Sequence, residues 1–222
     1  CLMSACFVAR AETAARAVVD AAGMSRGLCS VVSGSDPSLA VELAGESGFL
    51  VHEIAADDAG VSAGWAAASK SGLSLQRFVV ERGGAALPYA DGIIDLLVVE
   101  DGSLGTVKGL AGDICRVLRP KGRLVICKSG QGVKIPGEWK EVAAKDGLTV
   151  LEKPATPGVD NWTHWEHGPD NNPVSEDEVI KAPYRTQWLG LPYYIAMPAI
   201  TTAAGGRTFV AMGHIAHHER EE

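Results

Sequence analysis

A chain of 222 residues with 46% hydrophobic and 21% charged residues holds enough apolar material for one α/β domain and a smaller piece, which excludes a disordered chain. A formal net charge of −7, with no cluster of Lys and Arg, argues against a nucleic-acid partner. No stretch approaches the ~20 apolar residues of a membrane span.

The start, Cys1-Leu2-Met3-Ser4-Ala5-Cys6-Phe7-Val8, is apolar and runs into Ala9-Arg10-Ala11, a small-residue pattern before Glu12. Residues 1–11 are read as the remnant of a secretory signal, which would make the protein exported, periplasmic or extracellular. The other reading is a short apolar strand or helix turn, with a cytoplasmic protein. The five cysteines, Cys1, Cys6, Cys29, Cys115 and Cys127, lack zinc-like spacing, and buried thiols are expected.

Thr13 to Ala22 reads as a helix stopped by Gly23, and Leu28 to Val32 as a buried strand. Ser33-Gly34-Ser35-Asp36-Pro37 follows. Asp36 is expected to cap, and Pro37 to open, a helix running to Ala44 and Gly45. Phe49 to Ile54 makes a second strand. Asp57 to Lys70 is alanine-rich and helix-favouring despite Gly60 and Gly64, with Gly72 as its stop.

Leu75 to Glu81 supplies a third strand through Phe78-Val79-Val80, and Ile93 to Val99 a fourth. Val107, Leu110, Ile114, Val117 and Leu118 recur at helical spacing, Pro120-Lys121-Gly122 turns the chain, and Arg123 to Cys127 is a fifth strand. Glu138 to Lys145 is expected to be one more helix and Leu148 to Glu152 one more strand. This alternation with near-continuous apolar strands predicts a doubly wound α/β domain, a mostly parallel sheet covered on both faces, over residues 12–153.

The character then changes. Seven of the eleven prolines and five of the six histidines follow Lys153, so the helical pattern stops there. Residues 154–222 read as a β-rich extension with short runs at Gln187-Trp188-Leu189 and Arg207 to Met212 and a turn at Gly205-Gly206. Trp162, Trp165 and Trp188 are expected to anchor β structure. His164, His167, His214, His217 and His218 lack a metal-binding pattern, and no metal is expected.

Two segments carry a resemblance. Leu87-Pro88-Tyr89-Ala90-Asp91-Gly92-Ile93-Ile94-Asp95-Leu96-Leu97-Val98-Val99 resembles the LPF-x-D-x-x-FDLV segment of class I S-adenosylmethionine-dependent methyltransferases. Cys115 to Ile126, through Arg116-Val117-Leu118-Arg119-Pro120-Lys121-Gly122, resembles that family's R-V-L-K-P-G-G-x-L helix-turn-strand. The resemblance covers about residues 13–152 and implies a Rossmann-like fold that binds S-adenosylmethionine and methylates an unidentified small molecule or protein.

It implies cofactor contacts from Ser33, Gly34, Ser35 and Asp36, where the family reads G-x-G-x-G. Serine adds a Cβ and Pro37 removes an N–H, so this loop is expected to be stiffer and more crowded, and the site to be degraded. Ile54-Ala55 stands where the family keeps a ribose-binding acid. Glu53 or Asp57 is the available substitute, though Asp57 is better placed to cap the following helix. The acid expected near adenine is missing from Arg82-Gly83-Gly84-Ala85-Ala86. Glu100 and Asp101, after the fourth strand, occupy the substrate side of the crevice; a solvated turn is the alternative.

The tail has its own resemblance. Asp160-Asn161-Trp162-Thr163-His164-Trp165-Glu166-His167-Gly168-Pro169-Asp170-Asn171-Asn172-Pro173, with Gln187-Trp188 and Ala203 to Val210, resembles the entry to a PQQ-like β-propeller. That implies a first blade, and a contact between this domain and a downstream propeller. The functional alternatives are therefore a methyltransferase and a non-catalytic scaffold or recognition domain ahead of a propeller.

Overall fold

The computed structural model describes residues 13–100, 103, 106–127, 135–145, 147–183 and 200–211. They form two compact units, one of residues up to Leu118 with Gly122–Lys153, the other of Arg119–Lys121 with the chain from Pro154 onward. The readings placed on residues 1–11, Asp101, Trp188 and His214 to His218 lie outside the described residues.

The first unit is a seven-stranded sheet with helices on both faces. In chain order its elements are α1 (Ala14–Ala22), β1 (Arg26–Val32), α2 (Ser38–Glu46), β2 (Gly48–Ala55), α3 (Asp58–Lys70), β3 (Phe78–Arg82), β4 (Ile94–Val99), α4 (Leu110–Val117), β5 (Leu118–Cys127), β6 (Lys140–Lys145) and β7 (Leu148–Glu152). The sheet order is β3-β2-β1-β4-β5-β7-β6. Strands β1 to β5 run parallel, and β7 lies antiparallel between β5 and β6.

Alternation along each strand divides the core. Cys29, Val31, Val51, Phe78, Leu96 and Val98 pack against the Ala15, Val18, Leu43 and Ala68 faces of α1, α2 and α3. Val32, Ile54, Leu97, Val99 and Leu124 pack against Leu110, Ile114 and Val117 of α4. The glycines of α3 have a packing reason: a Cβ on Gly60 would stand 3.0 Å from Ala55 Cβ, and one on Gly64 2.8 Å from Glu53 Oε2. The helix lies on the sheet because nothing projects there.

The helix ends follow their residues. The Thr13 hydroxyl accepts the Arg16 amide and Gly23 takes a left-handed φ of 60° after α1; Asp57 caps α3 through the Gly60 amide at 2.8 Å. At α2 the cap is displaced. Pro37 precedes the first turn without a side-chain bond, while Asp36 Oδ1 accepts the Ser38 amide at 3.0 Å and its hydroxyl at 2.6 Å.

Three expectations are corrected. Glu138 to Lys145 does not form a helix; Lys140–Lys145 is the edge strand β6, paired antiparallel with β7 across a turn at Gly147 with φ 80°. Its helix-favouring residues are overridden by the pairing, and Lys140 and Lys145 suit an exposed edge. The Pro120-Lys121-Gly122 turn lies inside β5, where Lys121 has φ 61° and the register with β4 shifts. Trp165 is no core anchor, being 65% exposed.

The second unit has a hairpin of β8 (Ile200–Ala204) and β9 (Arg207–Ala211), closed by Gly205 and Gly206 at φ 59° and 75°. Trp162 adds one antiparallel bridge to Ala203, and its indole packs on His167 with ring centres 5.2 Å apart. Asp160 organises the loop, taking His167 Nε2 at 2.5 Å and the Glu176 amide at 2.8 Å. Among the described residues no helix is long and apolar enough to cross a membrane.

Candidate functional site

The chain leaves β1 toward β2 on one side, while β4 lies on the other, so the C-terminal ends of β1 and β4 flank a switch point of the sheet. Open α/β sheets bind ligands there. The loop after β1 enters it at Ser33. Ser33 is fully buried: its amide donates to Ile54 O at 3.0 Å, its carbonyl accepts the Thr106 hydroxyl at 3.1 Å, and its own hydroxyl donates to Glu53 Oε1 at 2.7 Å.

Glu53 is the least expected member. It belongs to the β2 face under α3, is 1% exposed, and has one oxygen on Ser33 while Oε2 has no hydrogen-bond partner. Burial raises its pKa, with Asp36 adding and the Ser33 hydroxyl opposing. A carboxylate within the apolar run of β2 is a signal that it needs a partner, and Ser33 supplies one.

Glu100 closes the other side. Its amide donates to Val32 O at 3.0 Å, and its half-buried carboxyl is pushed up to about 7 by burial, then by Glu53 and Asp36, against the opposing pull of the Gly34 backbone amide. It therefore holds or releases a proton near neutral pH, unlike a carboxylate in a solvated turn. Asp36 is exposed, and its bonds from Ser38 keep its pKa below the ordinary carboxylate value. Ser35 is exposed too.

Beside this loop lies a cleft of about 440 Å³ whose walls include Val18, Leu39 and Cys127 and whose polar groups include Asp36, Glu42 and Glu100. Glu42 Oε2 is buried without a hydrogen-bond partner. Among the described lining residues none is Lys, Arg or His, so the cleft is apolar with a negative rim. Among the described residues no group of three or more His, Cys, Asp or Glu is placed to hold a metal ion.

No protein-family model matches the chain, and no curated protein matches it. Solved structures do. A putative S-adenosyl-L-methionine-dependent methyltransferase from Methanococcus maripaludis is 16% identical with a TM-score of 0.52, over 65% of this chain and 85% of that one. The fold is that of the class I methyltransferases. TrmN from Thermus thermophilus is 21% identical with a TM-score of 0.48, over 63% of this chain and 48% of that one. Geranyl diphosphate C-methyltransferase from Streptomyces coelicolor, solved with S-adenosyl-L-homocysteine, is 17% identical with a TM-score of 0.44, over 51% and 45%.

Within this methyltransferase fold the structure brings Ser33, Gly34, Asp36, Glu53 and Glu100 together. Asp57 is engaged as the α3 cap. The two sequence segments that resemble the family hold the crossover between β3 and β4. Arg116 donates to Leu87 O at 2.9 Å, Tyr89 O at 2.5 Å and Asp113 Oδ1 at 2.9 Å, while Asp113 Oδ2 accepts the Leu87 amide at 2.6 Å. Asp95 Oδ2 accepts the Leu28 amide at 2.9 Å and ties β4 to β1.

Proposed function

We propose that this is a methyltransferase-like domain whose S-adenosylmethionine site is degraded, and that it serves as a recognition or scaffold domain rather than transferring methyl groups. The observation that carries the reading is the loop after β1 satisfying itself with protein groups. Ser33 Oγ is spent on Glu53 and the Ser38 amide on Asp36, where a cofactor carboxylate would need donors.

The residues present do not fit the cofactor. Ala55, buried at the end of β2, offers no acceptor to ribose hydroxyls, and the Glu53 carboxyl is turned under α3. Asp36, Glu42 and Glu100 repel a carboxylate at the cleft. Isothermal calorimetry with S-adenosylmethionine at millimolar concentration tests this: no saturable heat is expected. Micromolar binding together with methyl transfer to any acceptor would overturn it. The cleft at the switch point favours a second reading, an active methyltransferase, which the same titration decides.

We extend the proposal to the tail, read as the start of a PQQ-like β-propeller in a larger exported protein. The β8–β9 hairpin, with its Gly-Gly turn and its bridge to Trp162, supports a β-rich module too small to stand by itself. A propeller has roughly four to eight blades. A natural reading frame without further repeats of the Trp and Gly-Gly marks, or without an export signal, would sink these two parts of the proposal.

A further inference from the structure

The sheet face opposite α1, α2 and α3 is covered over β4 and β5 by α4, but the connection from β3 to β4 contains no helix. Leu28, Leu50 and Val79, on β1, β2 and β3, are consequently 38%, 51% and 42% exposed. Leu75 joins them to wall a second cleft of about 360 Å³, which shares no lining residue with the first.

Its floor is polar and specific. Tyr89 reaches over from the connection and donates its hydroxyl to Ser30 Oγ at 2.9 Å, while His52 Nδ1 lies 3.0 Å from the Tyr89 hydroxyl oxygen and the Tyr89 and His52 rings meet edge to face. With the phenol proton on Ser30, Nδ1 donates to the Tyr89 oxygen and Nε2 is left as an acceptor. Burial lowers the His52 pKa, which keeps the ring neutral, against the opposing pull of Glu81.

Nε2 is buried without a hydrogen-bond partner, and Glu81 Oε1 stands 3.7 Å from it, beyond hydrogen-bond range. With that tautomer two acceptors, one of them anionic, face each other beside the apolar cleft, His52 in its lining and Glu81 next to it. Among the described lining residues the one Lys or Arg is Arg77, whose guanidinium is bonded to the carbonyls of Ser47 and Phe49.

We propose that this cleft binds a small organic amine, an ammonium head on an aromatic or alicyclic body. The head donates to both the Glu81 carboxylate and His52 Nε2; the body lies against Leu28, Leu50 and Val79. The Glu81 side chain that receives the head is 46% exposed and free to adjust to it. An engineered cavity of roughly 150 Å³ accepts benzene, so the cleft has room for one ring or two. The inference is independent of the fate of the first cleft, because it uses none of that cleft's residues.

The test is a titration of the whole chain with 2-phenylethylamine, and with 3-phenylpropionate as the anionic probe of similar shape, followed by the His52 imidazole resonances. The amine is expected to move those resonances saturably, the acid not. Glu81→Gln and His52→Phe each should weaken the amine roughly tenfold, the loss of one charge-assisted bond. Leu50→Lys, at an exposed position that folding tolerates, should abolish binding. Equal binding of the acid, no response of His52, or an unchanged affinity in Glu81→Gln would overturn the proposal. So would sedimentation showing that this face joins two copies of the chain and that Leu50→Lys separates them.

Discussion

Replacing Glu100 with Gln should stabilise the protein at alkaline pH and leave it unchanged in acid. The Glu100 carboxyl rises from 4.5 to about 7 on folding. A folded value above the unfolded one means that the native state binds the extra proton. Its favourable contribution is complete below 4.5 and is lost as the pH rises through about 7. At about 1.4 kcal/mol per pKa unit the full penalty of ionising Glu100 would be about 3.4 kcal/mol. The carboxyl is only partly buried, and solvent screening reduces this to roughly 2 kcal/mol. Gln keeps the shape but carries no charge. Urea unfolding of both proteins, measured from below the unfolded pKa to well above the folded one, should show a gain near zero in acid that grows to a plateau of about 2 kcal/mol in alkali. A difference independent of pH, or one favouring Glu100 at high pH, would refute the argument that burial and the neighbouring Glu53 and Asp36 hold its proton.

Glycine-to-alanine exchanges in two helices should have opposite signs. Gly112, in α4 with no atom within 4 Å of a built Cβ, should gain about 0.5–1 kcal/mol as Ala, whereas Gly64→Ala should lose roughly 1 kcal/mol net, because the methyl meets Glu53 Oε2 at 2.8 Å and Val80 at 3.1 Å; thermal melts decide both. Asp57→Ala removes the α3 cap and should cost about 1 kcal/mol by urea titration, with no change in the pH dependence assigned to Glu100. Arg116→Lys cannot reach Leu87 O, Tyr89 O and Asp113 together and should cost about 1–3 kcal/mol; an unchanged melting temperature would show that the crossover is held by other contacts.

The sheet and its helices were legible in the sequence because the residues that resemble a methyltransferase also hold the fold: Asp95 ties β4 to β1, and Arg116 with Asp113 grips the loop before β4. Such signals persist whatever happens to a ligand, since they answer backbone demands that every version of the fold makes. The β6 edge was illegible for the converse reason: Lys140 to Lys145 has helix-favouring residues, and only pairing with β7, a contact across a turn, makes it a strand. At the site, the resemblance and the strand order placed Ser33, Asp36 and Glu100 near one another, but which groups satisfy which donors depends on side-chain direction. Glu53 lies on the α3 face of β2, and Ser33 puts a hydroxyl where that buried carboxylate needs a donor. Ser33→Gly would leave Glu53 with two unpartnered oxygens in a site that already raises its pKa. A glycine at position 33 alone therefore does not open a ligand loop: Ser33 and Glu53 satisfy each other, and only a double exchange, Ser33→Gly with Glu53 replaced by an apolar residue, tests the loop's capacity to receive a ligand.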